Sequence, residues 1–112
     1  MTPPWIRVAT LEDFRGGRQL ARQVGELQLL VVRTGGECLV IEDRCTHLGK
    51  SLLGGRLMAG QITCPFHGAC FDLKTGAAVS GPAVSPLRLF PVRMDGETIY
   101  ADLDPSRGRT ED

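Results

Sequence analysis

The chain has 112 residues, 42% of them hydrophobic and 5% aromatic, with 13 basic and 13 acidic residues and a formal net charge of zero. That length holds one domain, small enough to gain from a metal or another staple, with a core resting on Val, Leu and Ile. Zero net charge supplies no basic field for nucleic acid and no strong attraction to an anionic membrane.

The first residues, MTPPWIRV, lack a basic segment followed by an apolar one, so no secretion signal is expected. No apolar run approaches the ~20 residues a membrane helix needs. The expected compartment is the cytoplasm, where thiols stay reduced and grouped cysteines favour metal over disulfides.

In chain order, WIRVA (5–9) reads as a strand. TLEDF (10–14) suits one short helical turn, with Thr10 as cap and Asp13 three residues on. GGRQLARQV (16–24) and LQLLVVRT (27–34) flank the hairpin-like break Gly25-Glu26. LQLLVV (27–32) suits a buried strand. After the turn GGE (35–37), CLVIED (38–43) is the return strand. From 44 to 86 glycine and proline become frequent, and strand signals survive only at QITC (61–64) and ACFDL (69–73). LRLFPVRM (87–94) and TIYADL (98–103) then read as a hairpin with Asp95-Gly96 at its tip. The tail 104–112 is polar and expected to be mobile. The chain is thus β-rich at both ends with a loop-rich insertion, a pattern for an antiparallel barrel or sandwich.

The insertion carries the chemistry. CTHLGK (45–50) is answered by CPFHGA (64–69), and the chain's two histidines, His47 and His67, are both in these boxes. The spacings are C-x-H, then 16 residues, then C-x-x-H. A lone Cys-x-His would read as a buried cysteine beside an unrelated histidine. Two such boxes in glycine-rich loops, using every histidine, read as a metal site. Two thiolates and two imidazoles satisfy either a tetrahedral zinc ion or a [2Fe–2S] centre of mixed ligation. Zinc sites of this ligand type usually group Cys with Cys and His with His, the latter on a helix. Here each box is mixed and nothing around the histidines has helical periodicity, which suits one ligand per iron from each loop.

The pattern CTHLGK…CPFHGACFDLKTG resembles the Rieske iron–sulfur family, and SGPAVSPLRLFPVRMDGETIY is similar to that family's C-terminal portion. The resemblance implies an all-β fold: an antiparallel β-sandwich or barrel base with a small loop-rich cluster-binding subdomain. This chain would be a single domain over 1–103 with that subdomain at about 44–86. It implies one [2Fe–2S] cluster, with Cys45 and Cys64 on one iron and His47 and His67 on the other. High-potential members carry a disulfide between the boxes, where this chain has Lys50 and Phe66. They also place serine and tyrosine hydroxyls on the cluster sulfurs, where this chain has Ala69 and Phe71. Fewer donors stabilise the reduced state less, so a potential near the low end of the Rieske range, about −150 mV, is expected. Cys38 and Cys70 fall outside the ligand pattern; Cys38 alternates with Val40 and reads as core. Lys50 and Arg56 read as solvated surface charges.

The length resembles stand-alone Rieske-type ferredoxins of bacterial ring-hydroxylating dioxygenase systems. That implies a non-catalytic, monomeric one-electron carrier between a flavin-dependent NAD(P)H ferredoxin reductase and a terminal oxygenase. A second resemblance is to the small subunit of assimilatory nitrite reductases. A zinc-bound structural module is the third reading. No nucleotide fingerprint is present, and a Ser/His/Asp arrangement is impossible once both histidines are ligands.

Overall fold

The run LQLLVV lies at the centre of the molecule. In the computed structural model, which describes residues 5–45, 49–66, 68–80 and 85–103, it opens β3 (Leu27–Thr34). The other strands are β1 (Trp5–Thr10), β2 (Gln19–Val24), β4 (Glu37–Glu42), β5 (Arg56–Met58), β6 (Gln61–Thr63), β7 (Cys70–Asp72), β8 (Ala78–Ser80), β9 (Leu89–Phe90), β10 (Val92–Asp95) and β11 (Thr98–Asp102). They form three antiparallel sheets, in the orders β2-β3-β4-β9, β1-β11-β10 and β5-β6-β7-β8.

Leu29, Leu30, Val31 and Val32 are all fully buried. Successive side chains on a strand point to opposite faces, so four buried in a row need cover on both sides. Leu30 and Val32 pack with Ile41, Leu52, Ile62, Phe71 and Leu87. Leu29 and Val31 pack with Val8, Val40, Phe90, Ile99 and Ala101. The sheet containing β3 is therefore the middle layer. One face is covered by the sheet of β1, β10 and β11, the other by the insertion.

The early elements match the sequence reading. Val24 pairs with Leu27 around Gly25-Glu26, and Thr34 with Glu37 around Gly35-Gly36. The helical turn is a 3₁₀ turn at Leu11–Phe14, where the Thr10 backbone N–H donates to Asp13 at 2.9 Å. That bond, ahead of the neighbouring Arg22, holds the Asp13 carboxyl below its ordinary value. Arg22 pairs with Asp13 at 3.0 Å and donates from Nε to the Val8 carbonyl at 3.1 Å, joining the edges β1 and β2.

Three expectations need correction. LRLFPVRM is two strands, because Pro91 has no N–H with which to continue a ladder. Leu89 and Phe90 pair with Ile41 and Val40 in the middle sheet, whereas β10 pairs with β11. The hairpin tip is Gly96-Glu97, since Asp95 pairs with Thr98. Gly96 takes φ +63 there, and a two-residue turn left-handed at its first position favours glycine. The insertion, finally, holds a four-stranded sheet: β5 and β8 add to the two strands read from sequence. Each has three residues, too few to display a period. The tail 104–112 lies outside the described residues. Among the described residues, no helix is long and apolar enough to cross a membrane.

Gly76 joins the insertion to the segment that leads back to the middle sheet. Its N–H donates to the Asp72 carbonyl and its own carbonyl accepts the Leu87 N–H, both at 2.7 Å. Its φ is +82, and an added Cβ would run into the Leu87 carbonyl. Gly76→Ala should therefore lower stability by about 2–4 kcal/mol, from left-handed strain plus the clash. The midpoint of urea unfolding checks this.

Candidate metal centre

The two boxes fold into loops with the same backbone pattern. In the first, the Cys45 N–H donates to the Lys50 carbonyl and the Gly49 N–H donates to the Cys45 carbonyl, both at 2.7 Å. In the second, the Cys64 N–H donates to the Ala69 carbonyl at 2.7 Å and the Gly68 N–H to the Cys64 carbonyl at 3.2 Å. Gly49 and Gly68 hold matching angles, φ +74 and +76, which explains glycine four residues after each cysteine. The second loop connects β6 to β7, whose last pair is Thr63 with Cys70. The first leaves the end of β4.

Cys45 and Cys64 are 1% and 2% exposed and belong to the same buried cluster. None of the four cysteines is in a disulfide. Two thiols at equivalent places in two matching loops, meeting in one cluster, are what a site built from both loops requires. His47 and His67 lie outside the described residues, so the structure brings together the sulfur half of the predicted set. Ala69 and Phe71 are fully buried in the same cluster, so neither position offers a hydroxyl to a group held there.

Sequence reasoning missed the residues that hold these loops to the base. Asp43, at the end of β4, is 7% exposed; it accepts from the Leu52 N–H and from the Ser51 hydroxyl, each at 2.7 Å. It closes the first loop and sets Leu52 into the core beside the cysteines. The signal was an acidic residue two places before the first cysteine, with a serine eight residues on. Gln19 of β2 does similar work. Its Nε2 donates to the Gly55 carbonyl at 2.6 Å, and its Oε1 accepts the Gly54 N–H at 2.7 Å. Gly55 also lets the loop lie close against β6, because a Cβ there would meet the Thr63 carbonyl.

The two cysteines outside the pattern have separate settings. Cys38 lies in the core cluster on the other side of the middle sheet, where burial pushes its thiol up, partly offset by Arg33. The Cys70 thiol donates to Gln61 Oε1 at 3.1 Å across β6 and β7.

A family model described as the Rieske [2Fe-2S] domain matches residues 4–91. The chain belongs to the Rieske [2Fe–2S] domain family. Its cofactor is one Rieske-type [2Fe–2S] cluster, and the buried thiol pair in matching loops fits it. Ferredoxin CarAc of Metapseudomonas resinovorans is 36% identical over 101 residues, covering 89% of this chain and 94% of that protein. Apoptosis-inducing factor 3 of Homo sapiens is 32% identical over 93 residues, but the match spans only 15% of that longer protein. Among solved structures, a chain in the complex of reduced oxygenase and oxidized ferredoxin in carbazole 1,9a-dioxygenase matches with a TM-score of 0.78 and 34% identity. That match covers 90% of this chain and 94% of the other. The all-β Rieske fold read from the sequence is thus the fold observed.

Of the two side chains that close the first loop, Asp43 should be the more sensitive. Asp43→Ala leaves the buried Leu52 N–H without its partner and should cost about 2–3 kcal/mol, against about 1 kcal/mol for Ser51→Ala. Denaturant unfolding of the two variants checks the order.

Proposed function

We propose that this chain is a soluble one-electron carrier, the ferredoxin component of a multicomponent ring-hydroxylating oxygenase system. One observation carries the reading: a ferredoxin relative is matched over 94% of its length by 89% of this chain. The ferredoxin relatives support an electron carrier over an enzyme that acts alone on an organic substrate.

In this reading Cys45 and Cys64 hold one iron, and His47 and His67 hold the other. Bound, the cluster supplies a one-electron couple at a higher potential than an all-cysteine cluster, because two neutral imidazoles replace two thiolates. The chain's own residues do the rest. The matching backbone bonds fix the direction of both thiols, and Asp43 and Gln19 hold the loops to the base. Leu52, Ala69 and Phe71 exclude water from the sulfur side. Segment 44–86 acts as the cluster-binding unit of a single domain over 1–103.

The partners are a flavin-dependent NAD(P)H ferredoxin reductase and a terminal oxygenase, and the compartment is the cytoplasm. The structural relative was solved with an oxygenase, which supports the second partner. Such encounters are small and transient. The ferredoxin relative supports a carrier over a nitrite reductase subunit.

The purified protein should be coloured and, once reduced by one electron, EPR-active. Its midpoint should fall near the low end of the Rieske range, about −150 mV. His47→Cys should lower it further by adding an anionic ligand. A colourless protein with one zinc per chain would defeat the carrier reading, and a clearly positive midpoint would defeat the low-potential assignment.

A further inference from the structure

Two residues outside the ligand set connect the loops to each other. Lys50 closes the first loop through its backbone, where its carbonyl accepts the Cys45 N–H at 2.7 Å. Its side chain reaches the second loop. Lys50 Nζ lies 5.4 Å from the centroid of the Phe66 ring, two residues beyond Cys64. Phe66 is 57% exposed, so core packing does not dictate where its ring sits. A solvated lysine sweeps its charge through a wide volume on a flexible stem. Over an aromatic face the ammonium is attracted by the ring quadrupole and its position is confined. The reading of Lys50 as a solvated surface charge therefore changes: its charge stands between the two loops.

A fixed positive charge favours whichever state of a nearby group carries more negative charge, here the state with the added electron. We propose that Lys50 is a positioning residue for the cluster: with Phe66 it fastens the two ligand-bearing loops, and its held ammonium favours the reduced state. This rests on the cluster reading above. Arg56, also exposed, has no aromatic contact of this kind among the described residues.

The test compares holoprotein of wild type, Lys50→Met, Lys50→Arg and Phe66→Leu. Two quantities are read: the midpoint potential, and the half-life of the visible colour in excess chelator. Lys50→Met should lower the midpoint and bleach several-fold faster. The midpoint difference from wild type should shrink at high ionic strength, where partly exposed charges are screened. Lys50→Arg, which keeps the charge and can stack, should restore both properties. Phe66→Leu should bleach several-fold faster while its midpoint falls less than that of Lys50→Met.

A wild-type midpoint in Lys50→Met overturns the proposal, as does a Lys50→Arg protein that behaves like Lys50→Met. Should Lys50→Met not load, Phe66→Leu decides alone, since it alters no charge: wild-type bleaching there overturns the fastening. A wild type with neither colour nor EPR signal instead overturns the cluster reading, and that is seen before any variant is made.

Discussion

The middle sheet has two buried faces, and the rest of the molecule follows from covering both. One face is closed by β1, β10 and β11. The other has only the insertion available, so Leu52, Ile62, Phe71 and Leu87 must come down onto Leu30, Val32 and Ile41. Burying each such side chain is worth roughly 1.5–3 kcal/mol, against about 1 kcal/mol for a typical hydrogen bond. Packing therefore holds the insertion in place, and the polar contacts of Asp43 and Gln19 set the shape of its loops. Cys45 and Cys64 are part of the same packed cluster, so the sulfur side of the site is as firmly placed as the core itself.

Much of this was legible in the chain because the signals were long or repeated. LQLLVV announced a buried strand, and the Gly-containing breaks at 25–26 and 35–37 gave the first two hairpins. The paired Cys/His boxes announced the Rieske family, and their common glycine at the fifth place matches the common hydrogen-bond pattern of the loops. Other features had no such signal. β5 and β8 are too short for any periodicity. The change of sheet at Pro91 depends on which partner each half of LRLFPVRM finds, which local sequence does not state. Asp43 and Gln19 act over separations of 8 or more residues, through side chains that look like ordinary surface polar groups. The Lys50–Phe66 contact was half visible: the sequence marks both positions by the cysteines they lack, but not by the contact they make.

The middle layer also explains why Cys38 stays apart from the ligand loops, whereas Cys70, on their side of it, is held by its own hydrogen bond. Cys38 is on the face of β4 turned away from the ligand loops, in the other core. Cys70 begins β7, with its thiol engaged by Gln61. The sheet itself separates the Cys38 thiol from those of Cys45 and Cys64.

The two loops reach one shape from different letters. What they share is a cysteine, a glycine four places later, and hydrogen bonds between main-chain atoms. A Thr and a Pro follow the cysteines, and a Lys and an Ala close the loops. The scaffold thus divides labour between backbone and side chain. Grip comes from the main-chain hydrogen bonds, which hold whether Lys50 or Ala69 closes the loop. The closing position can therefore carry an exposed charge in one loop and a buried methyl in the other.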